Sequence, residues 1–165
     1  MPRIHLTAED VRQLPLTYEA TIPDDYLDEM GHMNVMWYTH LFSQAMGGMF
    51  QLLGMDWDRL AEMDAGTFAL EAHIRYLSEV RVGHDVQVHS RMIGRSEKRF
   101  HAIHFMINLN KQDVASTFES VGAYIDLNER RMAAFPQQIA GKIDCLVQEH
   151  AELNWAAPLS GIMNP

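Results

Sequence analysis

Asp28-Glu29-Met30-Gly31-His32-Met33-Asn34 runs straight into Val35–Leu53, a stretch with no Asp, Glu, Lys or Arg. Within it Tyr38, Phe42, Ala45, Met49 and Phe50 recur at helical spacing, which predicts one long helix over Asn34–Leu53. The scarcity of polar residues implies a helix buried on most of its sides. The residues before it therefore stand at a helix N-terminus. Backbone N–H groups there lack intrahelical partners, and the positive end of the dipole favours negative charge. A carboxylate and an imidazole beside amides that can hold an oxyanion suggest acyl chemistry. Gly47-Gly48 inside the helix costs roughly 1 kcal/mol per glycine, and we read the pair as a place where another backbone comes close. Gly54 follows as a C-terminal stop.

Upstream, Thr7-Ala8-Glu9-Asp10 has the form of a capping box opening a short helix through Leu14. Leu16, Tyr18, Ala20 and Ile22 then alternate with polar residues as in a half-buried strand, closed by Pro23-Asp24-Asp25. Downstream, a short irregular or helical piece at Trp57–Met63 gives way to strands. In the first, Phe68, Leu70, Ala72, Ile74 and Tyr76 share a face opposite Glu71, His73 and Arg75. Val86–Met92, Ile103–Leu109 and Ala115–Leu127 read as three more. The polar connections Arg95-Ser96-Glu97-Lys98 and Asn110-Lys111-Gln112-Asp113 are short enough for antiparallel hairpins. Beyond Pro136, Ile139, Ile143, Leu146 and Val147 fit a terminal amphipathic helix. The last ten residues carry little signal. Strand, long helix, then four strands indicates an α+β fold, an antiparallel sheet with the helix on one face. The chain reads as a single domain, 1–165, with a short N-terminal helix and a C-terminal helical extension over 137–165.

Composition narrows the function classes. Hydrophobic residues make up 47% and charged residues 21% of the 165, as in an ordinary soluble domain. No apolar run approaches the length of a membrane-spanning helix, and Met1-Pro2-Arg3-Ile4-His5 lacks the apolar core of a signal peptide. The single Cys145 excludes an internal disulfide and fits a reducing cytoplasm, where we expect the protein. A formal net charge of −9 argues against nucleic acid as a partner.

The pattern D-x-x-G-H-(M/V)-N at Asp28, Gly31, His32, Met33 and Asn34, with Tyr38 four residues on, resembles the hot-dog-fold acyl-CoA thioesterases of the 4-hydroxybenzoyl-CoA thioesterase type. The resemblance spans Leu16–Pro136 and takes in Glu71-Ala72-His73-Ile74-Arg75-Tyr76-Leu77, Gly83-His84-Asp85, Ile125-Asp126-Leu127 and the Arg130-Arg131 to Pro136 close. Phe68–His101 is particularly similar to thioesterases encoded with carnitine degradation, thought to act on betainyl-CoA. The resemblance implies a curved antiparallel sheet wrapped around the long central helix, and an acyl-CoA substrate with no cofactor beyond its own coenzyme A. It also implies a homodimer or homotetramer. Asp28 takes the catalytic position, as nucleophile or as general base. The carbonyl-polarising N–H maps near Val35. His32 and Asn34 match the motif, with roles in orienting Asp28, contacting the thioester or holding the turn. One departure stands out: many members carry a Glu on the central helix where this chain has Ser43-Gln44.

Candidate substrate contacts follow. Met33 belongs to a group of methionines around the helix, some of which would line an adaptable acyl pocket. Trp37 and Tyr38, with Phe42 and Trp57, form a possible aromatic box for a quaternary ammonium group, against a default of core packing. Glu71 is a further candidate. Arg91, Arg95, Lys98 and Arg99 cluster around one hairpin: either they solvate a strand edge, or Arg95, Lys98 and Arg99 hold the phosphates of coenzyme A. Ordinary readings stand beside these, since Asp28 suits any loop and Asn34 any helix N-cap. His101 and His104 are three apart on a strand and point to opposite faces, and no metal-ligand spacing accompanies them, so no metal is expected. Nothing around Cys145 suggests a nucleophile, and no Gly-x-Ser-x-Gly elbow occurs. Two other classes stay open: a hot-dog hydratase or dehydratase, for which the Asp28-to-His32 spacing is one residue short, and a non-catalytic acyl-CoA binding protein.

Overall fold

A computed structural model describes residues 5–165; residues 1–4, most of the stretch read for a signal peptide, lie outside the described residues. In chain order the elements are α1 (Ala8–Val11), β1 (Leu16–Thr21), a 3-10 turn (Asp24–Tyr26), α2 (Val35–Leu53), α3 (Trp57–Glu62), β2 (Ala65–Tyr76), β3 (Asp85–Arg95), β4 (Arg99–Asn108), β5 (Asp113–Asp126), β6 (Arg131–Met132) and α4 (Gln137–Ala151). The strands form one sheet in the order β1-β3-β4-β5-β2, with β6 beside β5. Short connections make β3-β4 and β4-β5 antiparallel hairpins. β1 also runs antiparallel to β3, from Leu16 opposite His89 to Thr21 opposite Asp85. At the far edge Leu127 N–H donates to Asp64 C=O and Leu77 N–H to Ala115 C=O, so β2 runs antiparallel to β5. The α+β reading holds. The expected strands are all present, each with its ends moved by a few residues, and α1 is shorter than the predicted Thr7–Leu14 although its Thr7/Asp10 capping box forms.

The chain packs as two compact units. One holds residues up to Gly48 with Ile74–Ser90 and His104–Phe118; the other holds Met49–His73, Arg91–Ile103 and Glu119–Pro165. In the first unit Tyr38, Leu41, Phe42 and Ala45 of α2 pack against Val86 and Val88 of β3, Met106 of β4 and Ala115 of β5. Each fully buried side chain of this size contributes about 1.5–3 kcal/mol. Burial of α2 on most sides is not what forms: Thr39, His40, Ser43, Gln44 and Gln51 occupy an exposed face, together with Val35, Met36 and Leu52. The expectation weighed the lack of charge and passed over these uncharged polar residues, which recur at helical spacing on one side. Gly48 does sit where another backbone comes close, because a Cβ there would collide with the Thr17 carbonyl of β1.

The second unit is closed by the C-terminal extension. His150 Nδ1 accepts from Met92 N–H at 2.9 Å, Arg91 donates to the carbonyls of His150 and Trp155, and its guanidinium lies 4.5 Å from the Trp155 ring centroid. His101 pairs with Glu119 at 2.9 Å, both buried, and Glu119 accepts the Ser160 N–H at 2.6 Å. The terminal residues thus cap buried groups that their own sequence gives no sign of. Among the described residues no helix is long and apolar enough to cross a membrane.

Candidate active site

Asp28 opens a tight loop closed by its own main chain. Its N–H donates to His32 C=O at 2.8 Å, Gly31 N–H returns to Asp28 C=O, and Leu27 bridges Met33. Gly31 turns the loop at φ +84°, a conformation that favours glycine. The Asp28 carboxylate folds over the turn: Oδ1 accepts the N–H groups of Met30 at 2.9 Å and His32 at 3.0 Å. The His32 N–H above all holds this carboxyl below the usual carboxylate range. Oδ2 has no hydrogen-bond partner among the described residues.

The loop delivers the chain directly to α2. Asn34 N–H donates to Tyr26 C=O, while Asn34 Oδ1 accepts Met36 N–H at 3.0 Å and its carbonyl accepts Trp37 N–H at 2.9 Å. Asn34 therefore caps the helix as its residue type suggests. With Met36 and Trp37 engaged, the Val35 N–H is left without a hydrogen-bond partner among the described residues, at the end of the helix that favours negative charge. Met33 is buried, its N–H on Val80 C=O at 2.9 Å. Tyr38 is buried too, and its hydroxyl oxygen accepts Val80 N–H at 3.2 Å; burial raises its phenol above the ordinary range.

Beside the loop stands Glu79, a residue the sequence reading passed over. His32 Nε2 lies 2.8 Å from its Oε2, while Arg81 and Lys111 reach its Oε1 at 3.0 and 3.3 Å. Lys111 and then Arg81 hold this carboxyl below the usual range. Glu79 is the only acid between Tyr76 and Asp85, which is the one trace of it a sequence offers.

The first unit thus brings together Asp28, His32, Met33, Asn34, Val35, Trp37 and Tyr38. Trp37 stacks on Tyr26 at 3.8 Å between centroids, with His40 edge-on at 5.5 Å, whereas Phe42 stacks on Phe118 in the core. Trp57, in the second unit, is exposed and edge-on to Phe50; Tyr38 and Phe42 are buried core residues, so these two do not present their faces to a ligand as the expected aromatic box requires. Glu71, Arg95, Lys98 and Arg99 also belong to the second unit. Glu71, Lys98 and Arg99 are exposed, but Arg95 grips Asp144 of α4 through two bonds of 2.7 and 2.6 Å. Among the described residues no three His, Cys, Asp or Glu side chains group as metal ligands.

Residues 22–143 match the family model described as the Thioesterase-like superfamily. The chain belongs to that superfamily. Among curated relatives, a betainyl-CoA thioesterase of Pseudomonas aeruginosa is 26% identical over 141 residues, 86% of this chain and 89% of the relative. An L-carnitine dehydrogenase/betainyl-CoA thioesterase of Agrobacterium fabrum is 29% identical over 137 residues, 82% of this chain but only 28% of that protein. Of solved structures, a putative thioesterase of Pseudomonas putida is 26% identical with a TM-score of 0.77, and a hypothetical Staphylococcus aureus protein in complex with CoA is 23% identical with a TM-score of 0.81. Each alignment covers 92% of this chain and 96% of the other. The fold is the hot-dog fold, and this member of the superfamily is a thioester hydrolase.

Proposed function

We propose that this chain hydrolyses an acyl-CoA thioester to the free acid and CoA, with Asp28 as nucleophile and the Val35 N–H as donor to the thioester carbonyl. The observation that carries this reading is the pairing of a carboxylate with one free oxygen and a helix whose first amide is unpartnered, in one short segment. Oδ1 is fixed by two N–H bonds, so Oδ2 is the oxygen left to attack. A carboxyl held below its usual range is a poor proton acceptor at neutral pH, yet it is fully ionised, as a nucleophile must be. This favours attack on carbon over activation of water. In the first step Asp28 Oδ2 bonds to the carbonyl carbon, the C–S bond breaks and CoA leaves as the thiolate. Negative charge building on the carbonyl oxygen meets the Val35 N–H. In the second step water cleaves the resulting anhydride and returns the Asp28 carboxylate.

The acyl group is proposed to be betainyl, on the names of the relatives. The Tyr26–Trp37 stack supplies the aromatic surface a quaternary ammonium group needs. Lys98 and Arg99 are the candidates for the coenzyme's phosphates, since Arg95 is engaged by Asp144. The assembly is proposed to be a homodimer formed through β2, an edge strand whose Phe68 and Leu70 are exposed.

The experiment is free-thiol release from a panel of acyl-CoAs led by betainyl-CoA, comparing the wild type with Asp28→Asn and Asp28→Ala. Both variants should lose on the order of 10²–10⁴ in kcat. A rapid quench of the wild type should show the acyl mass on the peptide containing Asp28. Turnover retained in both variants would remove Asp28 from the mechanism, and tight acyl-CoA binding without turnover in the wild type would make the chain a binding protein.

A further inference from the structure

The Asp28 mechanism needs a group to take a proton from the water of its second step, and the residues around His32 supply one through a partner outside the Asp28–Asn34 motif. We infer that Glu79 is a positioning residue for this reaction: its carboxylate fixes His32 as the Nε2–H tautomer and leaves Nδ1 bare to accept that proton. The inference rests on the thioesterase reading above and deepens it.

The geometry is over-determined from behind. Oε1 of Glu79 is occupied by Arg81 at 3.0 Å and Lys111 at 3.3 Å, and the Glu79 carbonyl also accepts from Lys111 at 3.0 Å and from Asn108 at 3.4 Å. Among the described residues these contacts leave Oε2 to His32 Nε2 alone, at 2.8 Å. The next residue ties this segment to the catalytic loop, because Val80 C=O accepts Met33 N–H and Val80 N–H donates to the buried Tyr38 hydroxyl. Imidazole and carboxylate are thus held together from both sides. An ionised carboxylate only accepts hydrogen bonds, so Nε2 must carry the hydrogen, and in the neutral ring Nδ1 is then an acceptor. No residue among those described hydrogen-bonds to Nδ1. His32 is also bound to Asp28 through its main chain, so the backbone that carries the ring belongs to the same closed loop as the nucleophile.

The step balances simply. Water oxygen bonds to the acyl carbon of the Asp28 anhydride, a water proton passes to His32 Nδ1, and the bond to Asp28 Oδ2 breaks. The imidazolium then releases its proton to solvent, from which the CoA thiolate takes one.

Arg81 and Lys111 make the test unusual. In Glu79→Gln the two cations demand the amide oxygen, which turns the NH₂ toward His32 and forces Nε2 to accept. The tautomer inverts and Nδ1 is blocked by a proton. In Glu79→Ala the ring is merely freed. The expected order of kcat is therefore wild type above Glu79→Ala above Glu79→Gln, with losses of about 10-fold and about 100-fold and KM held within about twofold. A residue that only braces the surface would give the reverse order, because Gln is the closer match in shape, and an exposed ion pair would cost almost nothing. Nitrogen-15 NMR of His32 in the resting protein should show Nε2–H in the wild type and Nδ1–H in Glu79→Gln.

Glu79→Gln turning over as fast as the wild type, or faster than Glu79→Ala, would overturn the inference, as would Nδ1–H in the wild type. Absence of thiol release by the wild type on every acyl-CoA would instead overturn the thioesterase reading, and the two failures are distinguishable because the tautomer is read without turnover.

Discussion

His104 shows how much a single residue can say about proton positions and stability. It is fully buried between Phe42 and Phe118, with Nδ1 2.6 Å from Ser90 Oγ. Thr17 Oγ1 lies 2.6 Å from the same Ser90 oxygen and donates to Val88 C=O at 3.0 Å. A carbonyl only accepts, so the chain of donors runs one way: His104 Nδ1–H to Ser90, Ser90 to Thr17, Thr17 to Val88. Nε2 is then a bare acceptor in the core with no partner among the described residues, which makes charging this ring expensive. Burial pushes its pKa down to about 3 from 6.5. Between those two values the unfolded chain carries a proton that the folded one refuses. The stabilising effect of a neutral His104 is therefore full above pH 6.5 and drains away as the pH falls, by about 1.4 kcal/mol per pH unit. Urea denaturation between pH 7 and 4.5 should show this slope in the wild type, and His104→Leu should flatten it by about that amount. Some slope will persist, since burial also lowers His89 and His150. Equal slopes in the two proteins would mean that His104 is not neutral in the core.

Among the elements, α2 and β1 meet at a contact that fixes both. Gly48 lets α2 come against the Thr17 carbonyl, and Ala would gain helix propensity of about 1 kcal/mol while forcing a methyl into strand backbone that cannot yield. An overpacking cost at the upper end of the usual range, about 3 kcal/mol, less that gain should lower the stability of Gly48→Ala by a net ~2 kcal/mol, seen as a Tm reduced by about 2–4 °C for each kcal/mol. An unchanged or raised Tm would show that the helix can shift. This contact was legible in the sequence because a glycine pair in an otherwise strong helix contradicts local preference and asks for a reason. The helix, the strands and their hairpins were legible for a similar cause: each follows from a period of 3.6 or 2 in neighbouring residues. What escaped depends on residues distant in sequence. His32 says nothing of Glu79, nor does Arg91 of His150 and Trp155, because such pairings are chosen by how strands register and not by local pattern. Arg95 shows the same limit, since a basic hairpin reads alike whether its guanidinium faces a ligand or, as here, Asp144 of α4.

At the scale of the whole molecule the sheet order leaves an unusual edge. Among the described residues β2 is a long strand with only one neighbour, β5, and the run 68–72 is exposed throughout. Phe68 is 64% and Leu70 44% exposed, and beside them a cavity of about 500 Å³ is lined by Ile125, Leu127, Arg131 and Met132 among others. Proteins protect such edges with charge, proline, bulges or a partner. Here the run has no proline and a single charge, Glu71, so a partner is the remaining protection. A second copy is the simplest one, because two β2 strands pairing antiparallel about a two-fold axis satisfy each other's N–H and C=O groups and bury the same apolar residues twice. The net charge of −9 on each chain opposes such pairing, though salt screens it, and the edge itself contributes little of that charge. Sedimentation velocity at micromolar concentration should therefore find a dimer or a multiple of it for the wild type. Phe68→Lys combined with Leu70→Lys places four positive charges in the shared strand pair and should yield monomer, with helix content by circular dichroism unchanged. A double variant that stays dimeric would exclude β2 as the interface and leave this edge exposed without the protection that its length and apolar character demand.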